Sequence, residues 1–84
     1  MDKTSFTAWA TAHGYCASAF APANALQKTM PAATEQGLPH EVRFITLATK
    51  VTRETRIGRG GLWQKSWSAP YAALSVTDEG KLVR

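Results

Sequence analysis

The chain has 84 residues, of which 44% are apolar and 19% charged, and ten lysine and arginine residues face six acidic ones for a formal net charge of +4. This length predicts one domain, residues 1–84, with a single small core. No segment approaches the ~20 consecutive apolar residues of a membrane-spanning helix, and no signal-peptide stretch follows the first residues. We therefore predict a cytoplasmic protein with no membrane partner.

The cysteine and histidine content limits the chemistry. Cys16 is the only cysteine, which excludes a disulfide within these residues, and its simplest role is that of a small buried hydrophobe. His13 and His40 are the only histidines, and we expect neither to belong to a metal site. The sequence contains no nucleophile elbow, no phosphate-loop lysine and no paired carboxylates. We predict a protein that is not an enzyme and that has no cofactor and no bound metal.

The first predicted element is an amphipathic helix. Thr4 or Ser5 can cap it, and Phe6, Trp9 and Ala10 fall at i, i+3 and i+4, which places them on one face. Gly14 supplies the left-handed stop. We predict a core built from the large apolar residues Phe6, Trp9, Phe20, Leu26, Phe44, Ile45, Leu47, Val51, Leu62, Leu74 and Val76.

A second helix is predicted to begin near Ser18 and to end near Met30. Pro22 suits its first turn, where a missing backbone donor costs nothing, and Pro31 should end it. A short turn from Ala32 to Gln36 follows, and then an extended corner at Leu38-Pro39, because the residue before a proline avoids the helical region.

The segment from His40 to Thr52 has two readings. Phe44, Leu47, Ala48 and Val51 lie at i, i+3, i+4 and i+7, which favours an amphipathic helix with Thr46 and Lys50 exposed on its other side. Its threonine and β-branched residues also alternate acceptably as a strand. We predict a helix, since Pro39-His40-Glu41 resembles a helix start with an acid in the first turn, and the strand stays open as the alternative.

The second half of the chain predicts β-structure. Arg53 to Trp67 reads as a hairpin around the glycine-rich Gly58-Arg59-Gly60-Gly61 turn. Trp63 and Trp67 are four residues apart and would share one face of an ideal strand, either exposed as a platform for stacked bases or buried in the core. A further short strand is predicted from Tyr71 to Val76. Residues 77–84 fit a capped helical turn or a return strand equally.

The positive charge is concentrated in this region. Residues 43–65 hold six of the ten basic residues and one acid, so they carry +5, whereas the other 61 residues sum to −1. A local excess of this kind is typical of a surface that binds a polyanion, and nucleic acid is the commonest one. The residues predicted to bind nucleic acid are Arg43, Lys50, Arg53, Arg56, Arg59, Lys65 and Trp63. The same charge would also occur in a basic hairpin that has no ligand and only keeps the protein soluble.

The order of the predicted elements resembles the winged helix-turn-helix DNA-binding family. Two or three helices precede a basic glycine-tipped hairpin, and a strand then runs into the turn Thr77-Asp78-Glu79-Gly80, which is similar to the threonine-capped turn after the wing in that family. The resemblance implies a small α+β domain in which His40 to Lys50 is the recognition helix, so that Arg43 and Lys50 lie at the major groove. The Arg53 to Trp67 hairpin would be the wing, with Arg56, Arg59 and Lys65 on phosphates or in the minor groove.

These observations predict a small DNA-binding protein whose partner is double-stranded DNA and which acts as a transcriptional regulator or accessory factor of a phage or plasmid. A homodimer is one assembly that such a domain commonly forms. The alternative is a protein-binding inhibitor or adaptor of the phage type, in which the hairpin and the tryptophans block a host protein, because tryptophan and arginine commonly anchor protein interfaces.

Overall fold

One helix and a five-stranded antiparallel sheet form the domain. The computed structural model describes residues 1–17, 24–30 and 35–84. The elements in chain order are α1 (Lys3–Ala12), β1 (Cys16–Ala17), β2 (Ala25–Thr29), β3 (His40–Thr46), β4 (Lys50–Ile57), β5 (Gln64–Pro70), a 3₁₀ turn (Tyr71–Ala73), β6 (Ser75–Val76) and β7 (Leu82–Val83). The sheet has the order β1-β2-β3-β4-β5, and β6 and β7 form a separate two-stranded ribbon. The predicted α+β class is thus confirmed, with fewer helices than expected.

The first helix is confirmed. It begins at Lys3, because the Asp2 carboxylate rather than Thr4 or Ser5 caps it by accepting the Ser5 amide at 2.8 Å. It stops before Gly14, whose φ of +89° is the left-handed conformation that glycine adopts without strain.

The second predicted helix is wrong in the part that the structure describes. Ala25–Thr29 is a strand that pairs antiparallel with β3 through all five of its residues, from Ala25 opposite Ile45 to Thr29 opposite Glu41. Cross-strand pairing with a long neighbour outweighs the modest helix propensity of this segment. The predicted helix start at Ser18 and the residues just after Pro31 lie outside the described residues.

The helix predicted for His40 to Thr52 is also wrong. The segment forms β3, a three-residue turn and the beginning of β4, and Leu47 closes the turn by donating its amide to the Lys50 carbonyl at 2.9 Å. Thr46 lies opposite Val51, so Phe44 in β3 and Val51 in β4 face the same side of the sheet. Their separation of seven residues also fits two turns of a helix. Thr46, predicted to be exposed, is only 8% exposed. A recognition helix over His40–Lys50 is therefore absent, and the winged-helix arrangement is not confirmed.

The glycine-tipped hairpin is confirmed as the pairing of β4 with β5. An extra residue in β5 shifts the register, so that Arg53 lies opposite Trp67 and Glu54 opposite Lys65, with Ser66 as the bulged residue. Because of this bulge and because Trp63 precedes the strand, Trp63 and Trp67 do not share a face. In the Tyr71 to Val76 segment only Ser75–Val76 is a strand, and residues 82–83 pair with it as a return strand.

The core lies between α1 and one face of the sheet, which we call the helix-side face. Phe6 and Phe44 meet edge to face at 5.1 Å between ring centroids, and Phe6 also lies 5.8 Å from Tyr71. Trp9 packs against this core and donates its indole N–H to the Gly80 carbonyl at 2.8 Å, which fixes the β6–β7 ribbon against the helix. The buried core residues are Phe6, Ala10, Tyr15, Val42, Phe44, Val51, Ala69, Tyr71 and Leu74.

The predicted core is correct in part. Phe6, Phe44, Val51 and Leu74 are buried, and Trp9 and Leu26 pack against them. Three predicted core residues are exposed instead, namely Leu47, Leu62 and Val76. Phe20 lies outside the described residues.

Candidate nucleic-acid interface

Two of the predicted DNA-binding arginines are paired with carboxylates on the sheet face opposite the helix. Arg43 Nε donates to Glu54 Oε1 at 2.7 Å, and the two residues are cross-strand neighbours in β3 and β4. Arg56 lies opposite Glu41 in the same pair of strands and contacts its Oε1 at 2.9 Å. The register of this hairpin therefore neutralises two of the six positive charges that the sequence concentrates between residues 43 and 65.

The carboxylate of Glu41 accepts hydrogen bonds from two side chains. Glu41 is 4% exposed, its Oε1 accepts from Arg56, and its Oε2 accepts from the Gln27 amide at 2.6 Å. A buried carboxylate needs such partners, because burying an unpaired charge costs several kcal/mol. Arg56 is thus required inside the protein, which makes it a poor candidate for a phosphate contact.

Trp63 completes this opposite-face cluster. The guanidinium carbons of Arg43 and Arg56 lie 4.3 and 4.5 Å from the centroid of its ring. A ring in contact with two guanidinium groups gains cation–π energy from each, about 0.5–2 kcal/mol per contact depending on solvent exposure. Trp63 is therefore engaged within the protein rather than presented as an open stacking platform.

Arg53 is placed differently from Arg43 and Arg56. It lies on the helix-side face, opposite Phe44 in β3 and Trp67 in β5. Its guanidinium donates to the Ser66 hydroxyl at 2.9 Å and contacts no carboxylate among the described residues. A hydroxyl leaves the charge uncompensated, so Arg53 keeps its full positive charge at the surface.

Two further cations from distant parts of the chain lie on the same face. Lys28 in β2 is 5.6 Å from the centroid of the Tyr15 ring and donates to the His13 carbonyl at 2.7 Å. The guanidinium of Arg84 lies 5.3 Å from the centroid of the Trp67 ring. We call Lys28, Arg53 and Arg84 the helix-side basic cluster.

The aromatic rings link the members of this cluster. The ring centroids of Tyr15 and Trp67 lie 4.9 and 6.1 Å from that of Phe44, the residue opposite Arg53 in β3. Burial raises the pKa of Tyr15 above its usual range, while the positive charge of Arg53 acts in the opposite direction.

The other predicted site residues are exposed but dispersed. Lys50 begins β4, Arg59 lies in the loop at the other end of that strand, and Lys65 lies near the start of β5. Within residues 1–17, 24–30 and 35–84 the only salt bridges are those of Arg43 and Arg56, so Lys50, Arg59 and Lys65 have no carboxylate partner there. The structure brings Arg43, Arg56 and Trp63 together, places Lys65 opposite Glu54 on the same face, and leaves Lys50, Arg53 and Arg59 apart from them.

Sequence reasoning missed Lys28 and Arg84. Both lie outside the charge-rich segment, and only the β2–β3 pairing and the contact of Arg84 with Trp67 place them on the face that Arg53 also occupies. Recognition of β2 as a strand would have placed Lys28 opposite Val42, on the face that the core also uses. Nothing in the local sequence marks Arg84.

The described residues offer little for other chemistries. No three histidine, cysteine or acidic side chains among them are grouped as metal ligands would be. In the same part of the chain no helix has both the length and the apolar character needed to cross a membrane. Comparison of the chain with protein families, with curated proteins and with solved structures finds no match.

Proposed function

We propose that the protein binds double-stranded DNA through its phosphates, with the helix-side basic cluster as the contact surface. The observation that supports this proposal most strongly is the separation of charges. Carboxylates neutralise Arg43 and Arg56, whereas Arg53 has no carboxylate partner among the described residues and shares the helix-side face with Lys28 and with Trp67, whose ring Arg84 contacts. Binding by uncompensated cations that displace counterions is the main source of sequence-independent DNA affinity.

The aromatic residues of the surface support phosphate contacts over base stacking. Tyr15 is 8% exposed, and the ring of Trp67 is packed against the core and lies beneath Arg84. A base can stack only on an open ring face, and here Tyr15 is buried while Arg84 lies over the Trp67 ring. Single-stranded nucleic acid would therefore gain little here beyond its phosphate charge, and a duplex offers the denser array of phosphates.

The proposed role is that of an accessory DNA-binding protein and not of an enzyme. Regulation of specific operators requires side chains that reach base edges, and the helix that was predicted to carry them is a pair of strands. The proposal therefore includes no sequence preference. It also retains the origin suggested by the composition, a small basic product of a phage or plasmid.

The proposal is tested by fluorescence anisotropy of a labelled random-sequence duplex titrated with the protein at several salt concentrations. We expect an affinity that falls steeply with salt, with a slope of log K against log salt near −0.9 for each phosphate contacted. Arg53→Ala should reduce the magnitude of that slope by about 0.9. Absence of binding to the duplex at low salt would overturn the proposal.

The matched control is Lys3→Ala, which removes the same charge from the exposed side of α1. It should weaken binding less than Arg53→Ala and leave the slope nearly unchanged. Equal effects of the two substitutions would mean that net charge, and not the helix-side cluster, is responsible. Arg59→Ala measured in the same way decides whether the exposed loop adds a further contact, as the sequence predicts.

A further inference from the structure

The loop between β4 and β5 carries exposed apolar side chains that the proposed DNA surface does not use. Leu62 is 84% exposed and Ile57 is 46% exposed. They border a shallow cavity of about 280 Å³, lined by Thr55, Arg56, Ile57, Gly61, Leu62 and Gln64. A single exposed leucine needs no explanation, but two apolar side chains at the rim of one cavity resemble the anchor point of a binding surface.

The loop is held in shape from both ends. Gly58, with a φ of +76°, donates its amide to the Pro39 carbonyl at 2.7 Å, and Gly61 donates to the Gly58 carbonyl at 3.1 Å. A Cβ at Gly61 would overlap the Ile57 carbonyl oxygen, so the loop can close this tightly only with glycine there. A loop that is already ordered loses little conformational entropy when it binds a partner.

Trp63 fixes the far end of the loop. Its ring lies against Arg43 and Arg56 on the sheet, whereas the preceding Leu62 extends into solvent. The large aromatic side chain is thus directed inward and the aliphatic one outward. Leu62 therefore remains exposed although a tryptophan follows it directly in the sequence.

The charge around the cavity indicates the chemistry of its occupant. Arg59 lies in the loop, is exposed and has no carboxylate partner in the part of the chain that the structure describes, whereas Lys65 lies opposite Glu54 and does not line the cavity. An occupant that satisfies both features has an apolar side chain for the cavity and acidic groups beside it. The concave cavity and the inward position of Trp63 favour a protein segment over a lipid surface, at which tryptophan commonly lies exposed.

We propose that this loop is a docking site for an acidic segment of another protein, whose apolar side chain enters the cavity beside Ile57 and Leu62. Arg59 provides electrostatic complementarity beside the cavity, and Leu62 is the apolar contact that loses most exposure. The site is distinct from the helix-side basic cluster and does not depend on DNA binding.

The experiment is an NMR titration of the ¹⁵N-labelled protein with a short synthetic peptide in which leucine and glutamate alternate. We expect amide shifts concentrated at residues 57–65 and weak affinity, with a Kd of about 10⁻⁴ to 10⁻³ M for so small a contact. Leu62→Ser should weaken binding at least about tenfold without unfolding the domain, because the side chain is exposed. Arg59→Ala should weaken it by a smaller factor and reduce its salt dependence.

Two control peptides, one alternating leucine and lysine and one alternating serine and glutamate, test the two halves of the proposal. Both should bind at least about tenfold more weakly than the leucine–glutamate peptide. Equal binding of either control, or shifts outside residues 57–65, would overturn the proposal. A shift of the same amides with protein concentration alone would indicate self-association and would also overturn the proposal. So would binding of phosphatidylserine vesicles through Leu62 without binding of the peptide.

Discussion

Replacement of Arg56 by alanine tests whether this residue stabilises the fold, as the structure indicates, or serves DNA binding. The substitution removes the guanidinium that contacts Glu41 Oε1 at 2.9 Å and that lies 4.5 Å from the centroid of the Trp63 ring. Glu41 would then keep the Gln27 amide as its one remaining side-chain hydrogen-bond partner among those that the structure describes.

The expected loss of stability is about 2–4 kcal/mol. Removing one partner of a fully buried ion pair costs about 3–5 kcal/mol, because an uncompensated charge remains. The side chains of Arg56 and Glu41 are 19% and 6% exposed, so water can reach the truncated site and the cost is correspondingly lower. A domain of this size commonly has about 4–12 kcal/mol of total stability, so the variant should be visibly weakened.

The assay is urea unfolding followed by far-UV circular dichroism, which does not depend on the altered surroundings of Trp63. A second substitution, Glu41→Gln, should restore at least about 1 kcal/mol to the Arg56→Ala protein, since a neutral amide costs less to bury unpaired. Lys65→Ala is the exposed control and should stay within about 0.5 kcal/mol of the unmodified protein. If Arg56→Ala also stayed within that range, the internal role assigned to Arg56 would be wrong.

Three further substitutions test the fold. Phe44→Ala removes a ring at the centre of the core and should cost about 3–5 kcal/mol by urea unfolding, so retention of near-native stability would contradict its central position. Thr46→Ala loses the 2.8 Å hydrogen bond to the Asn24 carbonyl and should cost about 1 kcal/mol, whereas a helix here would make the change neutral or slightly stabilising. Burial raises the pKa values of Tyr15 and Tyr71, so the contribution of these tyrosines to the free energy of unfolding should be constant below about pH 10, the ordinary pKa of tyrosine, and fall as the pH rises through the raised values. Tyr15→Phe should make that fall smaller, and an unchanged pH dependence would exclude Tyr15 as a contributor.

The parts of the fold that depend on local signals could be predicted from the sequence. The spacing of Phe6, Trp9 and Ala10 with Gly14 behind them defines α1, and the glycine run at residues 58–61 defines the turn before β5. Both signals lie within one element or one turn. The helix and the turn are therefore determined by local backbone geometry and not by packing against residues distant in the sequence.

The helix predicted over His40 to Thr52 failed because two strands imitated one helix. β3 and β4 are joined by a three-residue turn, so Phe44 and Val51 lie seven residues apart and yet face the same core. Seven residues is also two helical turns, and the pattern alone cannot separate these cases. The β-branched residues of the segment were the signal for the alternative that proved correct.

The candidate site was only partly predictable, because charge compensation depends on register. Arg43 and Arg56 looked equivalent to Arg53 in the sequence, but alternation along β3 and β4 directs the first two toward Glu54 and Glu41 and the third toward the helix side. Lys28 and Arg84 reach the helix-side face through contacts with Tyr15 and Trp67, which lie in other segments of the chain. No local feature of the sequence carries that information.

An NMR titration of the ¹⁵N-labelled protein with a random-sequence duplex at low salt tests the central claim most directly. The account predicts shifts of the backbone amides around Lys28, Arg53 and Arg84 and of the Trp67 indole N–H, which lie on the helix-side face. The Trp63 indole on the opposite face should remain unchanged. Shifts centred on Trp63 with none around Arg53, or no shifts at all, would contradict the claim that the helix-side basic cluster binds DNA.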